Sequence, residues 1–161
     1  NYSNPAIEAE FGIILGRDLP PDRISFDYIK GSVQSIFPVI EIHNYIFNGD
    51  PPFGAELLAN NAIHAGVIMG KLNEGDVSNK YTDLNLLFDN QKIDTWTKKK
   101  WPFDILSEVA WLVKELAKSG HFVKRDDLIL TGAFGLPIPI NDANLIEVTS
   151  SLFGNVSAVF E

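Results

Sequence analysis

Apolar side chains alternate with small or polar ones from Ala6 to Leu15, the period of an extended strand. Ile7, Ala9, Phe11, Ile13 and Leu15 then share one face, and Glu8 and Glu10 share the other. Gly16, Asp18 and Pro20-Pro21 close this strand, and Pro21-Asp22 can open a short helical turn. Tyr28, Ile29, Val33 and Ile36 have rough helical spacing and predict a helix over 27–35, broken at Phe37-Pro38. Val39 to Asn44 predicts a second strand, on which Glu41 shares a face with Val39 and His43. Residues 48–53 form a loop, 56–62 a short helix and 66–70 a short buried strand. After a polar, turn-like stretch over 71–80, residues 82–88 and 92–97 predict a hairpin turning at Asp89-Asn90, residues that tolerate positive φ.

The clearest helix spans 103–119. Pro102 suits its first turn, and Gly120 stops it. Ile105, Leu106, Val109, Leu112, Val113 and Leu116 draw its apolar stripe, and Trp111 is assigned to the core. Strands follow at 128–131, 145–152 and 156–160. Many short strands and one long helix predict a β-rich α+β domain over 1–161, with no internal repeat or linker.

Composition narrows the function classes. The 161 residues suffice for one sizeable core. A net charge of -8 argues against a nucleic-acid or anionic-membrane surface, and Lys98-Lys99-Lys100 is read as a loop. No apolar run reaches the ~20 residues of a membrane span. The absence of cysteine removes disulfides and thiolate metal sites and fits a reducing, cytoplasmic compartment. The chain opens at Asn1 and its single methionine is Met69, so a native start is expected further upstream.

Three glutamates, Glu8, Glu10 and Glu41, sit in strands among apolar neighbours. Two carboxylates on one half-buried face are unfavourable unless a cation lies between them. An all-oxygen set of three carboxylates suits a hard divalent ion, Mg²⁺ or Mn²⁺, with edge-strand glutamates facing water as the bland alternative. His43 shares the face of Glu41 and can contact substrate, a metal-bound water, or simply neighbouring structure. His64 follows the Asn60-Asn61-Ala62 segment, and Thr131 ends a strand at a glycine. His121, just past the long helix, complements the C-terminal dipole. No Ser-His-Asp order, P-loop or dinucleotide fingerprint is present.

The segment Glu8-Ala9-Glu10-Phe11-Gly12-Ile13-Ile14-Leu15-Gly16-Arg17-Asp18-Leu19-Pro20 resembles the metal-binding segment of the 2-keto-4-pentenoate hydratase / 4-oxalocrotonate decarboxylase group, within the fumarylacetoacetate hydrolase superfamily. Val39-Ile40-Glu41-Ile42, Asn60-Asn61-Ala62 to Met69-Gly70, the 102–120 helix, Leu130-Thr131-Gly132 and Leu152 to Val156 resemble later segments in the same order. The resemblance implies the fumarylacetoacetase C-terminal fold, a mixed β-sheet roll or sandwich with one long helix, lacking an N-terminal portion that family members carry. It implies Mg²⁺ or Mn²⁺ on Glu8, Glu10 and Glu41, chelated by the carboxylate and 2-oxo oxygens of a small 2-oxo acid. Hydration of a 2-hydroxydienoic acid through a stabilised enolate would follow, in a homo-oligomeric enzyme of aromatic catabolism. His43, His64 and Thr131 become the catalytic candidates. Decarboxylation or acylpyruvate-type C–C hydrolysis would use the same site. Three positions depart from the group: Asn44 and Asn60 stand where aspartate is usual, and Ile46 where arginine is common. They remove charge near the site and keep a non-catalytic member among the alternatives. The turn around Asn141-Asp142 replaces a Gly-Asp turn.

Overall fold

The structure, a computed structural model, describes residues 2–50, 52–74 and 80–160, without the side chains of 73 and 74. Residues 75–79 of the polar stretch expected over 71–80 lie outside the described residues. Two sheets enclose one core. The first has the order β3-β2-β1-β7, built from β1 (Pro5–Leu15), β2 (Val33–Asn44), β3 (His64–Met69) and β7 (Leu128–Leu130). Short β4 (Asn73–Glu74) pairs with β2, and β8 (Ile138–Pro139) pairs with β1. The second sheet has the order β10-β9-β5-β6, from β5 (Lys80–Phe88), β6 (Gln91–Trp101), β9 (Leu145–Ser150) and β10 (Gly154–Val159). Pairings between these strands are antiparallel. Helices α1 (Phe26–Lys30), α2 (Ala55–Ala59) and α3 (Phe103–Lys118) complete the β-rich α+β fold.

The alternation in β1 sets the layers. Ile7, Ala9, Phe11, Ile13 and Leu15 are all buried in the core, with Ile36, Ile40 and Ile42 of β2 on the same face. Phe11 stacks edge-on against Phe153, 5.6 Å between ring centres, and faces Phe134 at 6.4 Å. Helix α3 presents Ile105, Leu106, Val109 and Val113 to this core.

Three expectations are corrected. The helix over 27–35 is only the five residues of α1, and β2 starts at Val33. Ser25 caps α1 by accepting from the Tyr28 N–H, and the following segment is buried on both sides, so its apolar run carries no clear period. Pro38 does not break the chain but lies inside β2, opposite Phe11. The Phe11 carbonyl accepts from the Thr131 N–H on the far side, so Phe11–Pro38 is a non-hydrogen-bonded pair and no bond to β1 is lost. The Pro38 carbonyl accepts from Gly70 N–H at 3.0 Å. Second, Lys98-Lys99-Lys100 belongs to β6, where a register shift and Lys98 at φ 57° mark a bulge. Third, Trp111 is 61% exposed, because it projects from the side of α3 opposite Val109 and Val113.

The hairpin turn has the expected form: Asp89 and Asn90 have φ 48° and 67°. Asn141 adopts φ 49°, the left-handed geometry that asparagine tolerates in place of glycine.

Candidate metal centre

The face of β1 that carries its glutamates lies over the corresponding face of β2. Glu8 pairs directly with Glu41, Glu10 with Val39, and Ala6 with His43. The period of two therefore brings four polar side chains, Glu8, Glu10, Glu41 and His43, to one patch of one sheet. Ala6 is small, and His43 opposite it leans diagonally to Glu8, Nε2 to Oε2 2.8 Å; the same Nε2 is 3.6 Å from Glu41 Oε2. His64 begins β3 as the partner of His43, and its Nδ1–H donates to Glu41 Oε1 at 2.6 Å.

Backbone groups finish the arrangement. The His43 Nδ1–H donates to the Ala62 carbonyl at 3.2 Å. The Gly132 N–H donates to Glu10 Oε2 at 2.9 Å. Gly132 sits at φ 84°, a conformation that suits glycine, just after β7 has run alongside β1. Thr131, one residue earlier, is 5% exposed, and its Oγ1 has no hydrogen-bond partner among the described residues.

Ionisation follows from these contacts. Glu10 is 2% exposed. Burial, then the adjacent Glu41, pushes its carboxyl up to about 8, so it holds a proton at neutral pH and donates to Glu41. Burial alone would raise Glu41 as well. Hydrogen bonds from His43, His64 and Glu10 outweigh that and hold it at about 2. Burial opposes charge on His43, yet its bonds to Glu41 and Glu8 raise it to about 10. The cation that the paired glutamates demand is thus His43 itself in the absence of an ion.

Glu8, Glu41 and His43 each offer a ligand atom, and those atoms all lie within 4.8 Å of one another. Glu10 stands beside this group, anchored by Gly132 and Glu41. Donor chemistry of two carboxylates, an imidazole and a third carboxyl fits a divalent ion.

A cleft of about 320 Å³ opens over this floor. Glu8, His43 and Tyr45 supply its polar atoms; Leu57, Ile63, Leu136 and Pro137 supply apolar walls. No lysine or arginine lines it among the described residues. Burial and the nearby Glu8 charge raise the Tyr45 phenol above its ordinary value. A larger cleft of about 510 Å³ lies between Tyr2, Ile140 to Asn144 and Phe160, but among the described residues Asp142 is the only ionisable side chain there besides Tyr2.

Known proteins show what the chain is similar to. No protein-family model matches the chain. The TodF product hydratase of Pseudomonas putida F1 is 24% identical over 159 residues, 97% of this chain and 59% of that protein. The 2-keto-4-pentenoate hydratase 1 of Dechloromonas aromatica is 25% identical over 97% of this chain and 60% of its own length. A 4-oxalocrotonate decarboxylase from Pseudomonas putida G7, complexed with magnesium and adipate, superposes with a TM-score of 0.83 at 22% identity, over 99% of this chain and 62% of that one. These likenesses support the resemblance to the 2-keto-4-pentenoate hydratase / 4-oxalocrotonate decarboxylase group. It spans about 60% of the length of the hydratases it matches. A maleylpyruvate hydrolase from Sphingobium sp. SYK-6, in complex with manganese(II) and pyruvate, has a similar fold at a TM-score of 0.70 and 14% identity.

Against that group, the sequence-predicted residues fall as follows. Glu8, Glu10, Glu41, His43 and His64 meet on one sheet face, and Thr131 adjoins it through Gly132. Asn44, where the group usually has aspartate, lies at the end of β2 and accepts the Ser3 and Asn4 N–H groups, a structural use. His121 is exposed beyond α3. Sequence reasoning missed the Ala62 carbonyl and the Leu136-Pro137 wall. Neither carries a local signal, since a carbonyl has no residue type and the wall forms only when the 131–138 loop folds over β1.

Proposed function

We propose that the protein is a divalent-metal-dependent hydro-lyase of the 2-keto-4-pentenoate hydratase type, adding water to a 2-hydroxydienoic or 2-oxo-4-enoic acid. The observation that carries it is the placement of Glu8, Glu10 and Glu41 on one face of the β1–β2 pair, with Glu8 reaching the floor of a cleft with apolar walls. Those three carboxylates would hold Mg²⁺ or Mn²⁺. When bound, the ion supplies Lewis-acid charge to the carboxylate and 2-oxo oxygens of the substrate.

The chain's own groups do the rest. Leu57, Ile63, Leu136 and Pro137 exclude water from the substrate's unsaturated end and favour an uncharged tail. A second carboxylate placed there would meet no cationic side chain among the described residues and would lose its hydration uncompensated. This favours a monoacid hydration over decarboxylation of a dicarboxylic substrate. His64 holds a proton at Nδ1 against Glu41 and is about a third exposed, a position from which protons exchange with solvent. The Thr131 hydroxyl, without a hydrogen-bond partner among the described residues, would donate to a substrate oxygen. His43, in the cleft floor, touches either substrate or ion. A cytoplasmic location, a single catalytic domain over 1–161 and a homo-oligomeric state complete the proposal. No helix among the described residues is long and apolar enough to cross a membrane.

The test is a substrate panel on the full-length protein with Mg²⁺ or Mn²⁺: a 2-hydroxydienoic monoacid, an unsaturated 2-oxo dicarboxylic acid and an acylpyruvate. Hydration of the monoacid, with ion binding lost in Glu41→Gln, is the expected outcome. Release of CO₂ from the dicarboxylate, cleavage of the acylpyruvate into two acids, or ion binding without turnover would each overturn the hydratase assignment. Absence of divalent-ion binding would overturn the metal chemistry altogether.

A further inference from the structure

The group of ligand atoms that actually converges is not three carboxylates. It is Glu8, Glu41 and His43, all within 4.8 Å of one another. His43 is also held as a metal-ligating histidine is held. Its Nδ1–H is spent on the Ala62 carbonyl at 3.2 Å, which turns Nε2 toward Glu8 and Glu41. A backbone carbonyl on the outer nitrogen fixes the tautomer and ring plane of such a ligand.

The loop that supplies this carbonyl is strained. Asn61, Ala62 and Ile63 have φ 50°, 53° and 58°, three successive non-glycine residues in the left-handed region. Each is disfavoured by about 1 kcal/mol or more, and such geometry persists where its surroundings over-determine it. Here the run aims one carbonyl at one imidazole. Glu41 is oriented in the same manner, by His64 Nδ1–H at 2.6 Å, and Glu10 by the Gly132 N–H. Partners behind His43 and Glu41 are therefore in place for a site that includes the imidazole.

We propose that His43 Nε2 is a direct ligand beside the carboxylates of Glu8 and Glu41, and that this nitrogen makes the site select Mn²⁺, Fe²⁺, Co²⁺ or Zn²⁺ over Mg²⁺. The inference rests on the metal-centre assignment above and deepens it by naming the ion class. Imidazole suits the borderline transition ions, whereas Mg²⁺ takes oxygen donors almost exclusively.

The experiment uses the full-length protein loaded with Mn²⁺ and examined by pulsed electron paramagnetic resonance. A directly coordinated nitrogen, converted from the ¹⁴N to the ¹⁵N pattern by ¹⁵N-histidine labelling, is the expected result and needs no variant. Calorimetry should then show Co²⁺ binding weakened about 10–100-fold in His43→Ala, with Mg²⁺ binding changed less than about 3-fold. Bound Mn²⁺ without nitrogen coupling would overturn the inference while leaving the carboxylate centre intact. Equal weakening of Co²⁺ and Mg²⁺ would do the same. No binding of any divalent ion would overturn both.

Discussion

Glu10→Gln in the metal-free protein separates the electrostatics of this sheet face from its packing. Glutamine keeps the shape, still accepts the Gly132 N–H through its carbonyl and still offers a donor to Glu41. What it removes is a titration. The carboxyl of Glu10 is raised from 4.5 to about 8, chiefly by burial. A raised folded-state value means the native protein binds this proton more tightly than the unfolded chain does. The associated stability is complete below pH 4.5 and is lost as pH rises towards 8, at about 1.4 kcal/mol per pH unit. Over that window the sum is about 3–5 kcal/mol. His43, raised from 6.5 to about 10 by Glu41 and Glu8, adds a loss of the same sign at higher pH, but it is common to both proteins. Urea unfolding in a chelator should therefore find wild type and variant within about 1 kcal/mol at pH 5. At pH 8.5 the variant should be more stable by several kcal/mol. A difference that does not change with pH, or a variant that is less stable at pH 8.5, would refute the protonated, buried state of Glu10.

Two further outcomes concern the frame around the site. Phe11→Ala removes a fully buried ring that stacks on Phe153 and Phe134, and should lower the unfolding free energy by about 3–5 kcal/mol in chemical denaturation; Phe11→Leu should lose less than half of that. Asn90→Gly relieves a non-glycine residue at φ 67° in the β5–β6 turn and should raise stability by about 0.5–1 kcal/mol, whereas Asn90→Val should lower it.

Much of the fold was legible because its strongest signals are local. The alternation over Ala6–Leu15 fixes which face of β1 is core, the stripe on α3 fixes which residues meet it, and Asp89-Asn90 announces its turn by residue type. The misread segments are those whose environment is set from elsewhere. Val33 to Phe37 carries apolar residues on both faces of β2, so helical and extended periods fit equally until β1 and its neighbours are in place. Pro38 reads as a breaker, yet the strand keeps it because its missing N–H faces away from β1. Trp111 reads as core by its chemistry alone, but two positions along a helix is the far side of it.

The site divides along the same line. Period two brings Glu8, Glu10, Glu41 and His43 to one face as soon as β1 and β2 pair, and the register that sets Glu8 against Glu41 is the in-register pairing of two buried strands, where a slip of one residue would expose the core face. What the pattern cannot carry is the weighting among those four. Glu10 and Glu8 are equivalent in the sequence, two residues apart on one strand. Burial beside Glu41 makes Glu10 the proton holder, against the Gly132 N–H that arrives from 122 positions away and favours its charged form, while Glu8 faces the cleft. His43 had no more sequence signal than His64, and the carbonyl that orients it comes from a strained turn at Ala62 whose residue types give no warning. The residues that could discriminate ions and reactions are thus distinguished by backbone groups brought in by tertiary structure, which is why the sequence pointed to metal chemistry more clearly than to the ligand set.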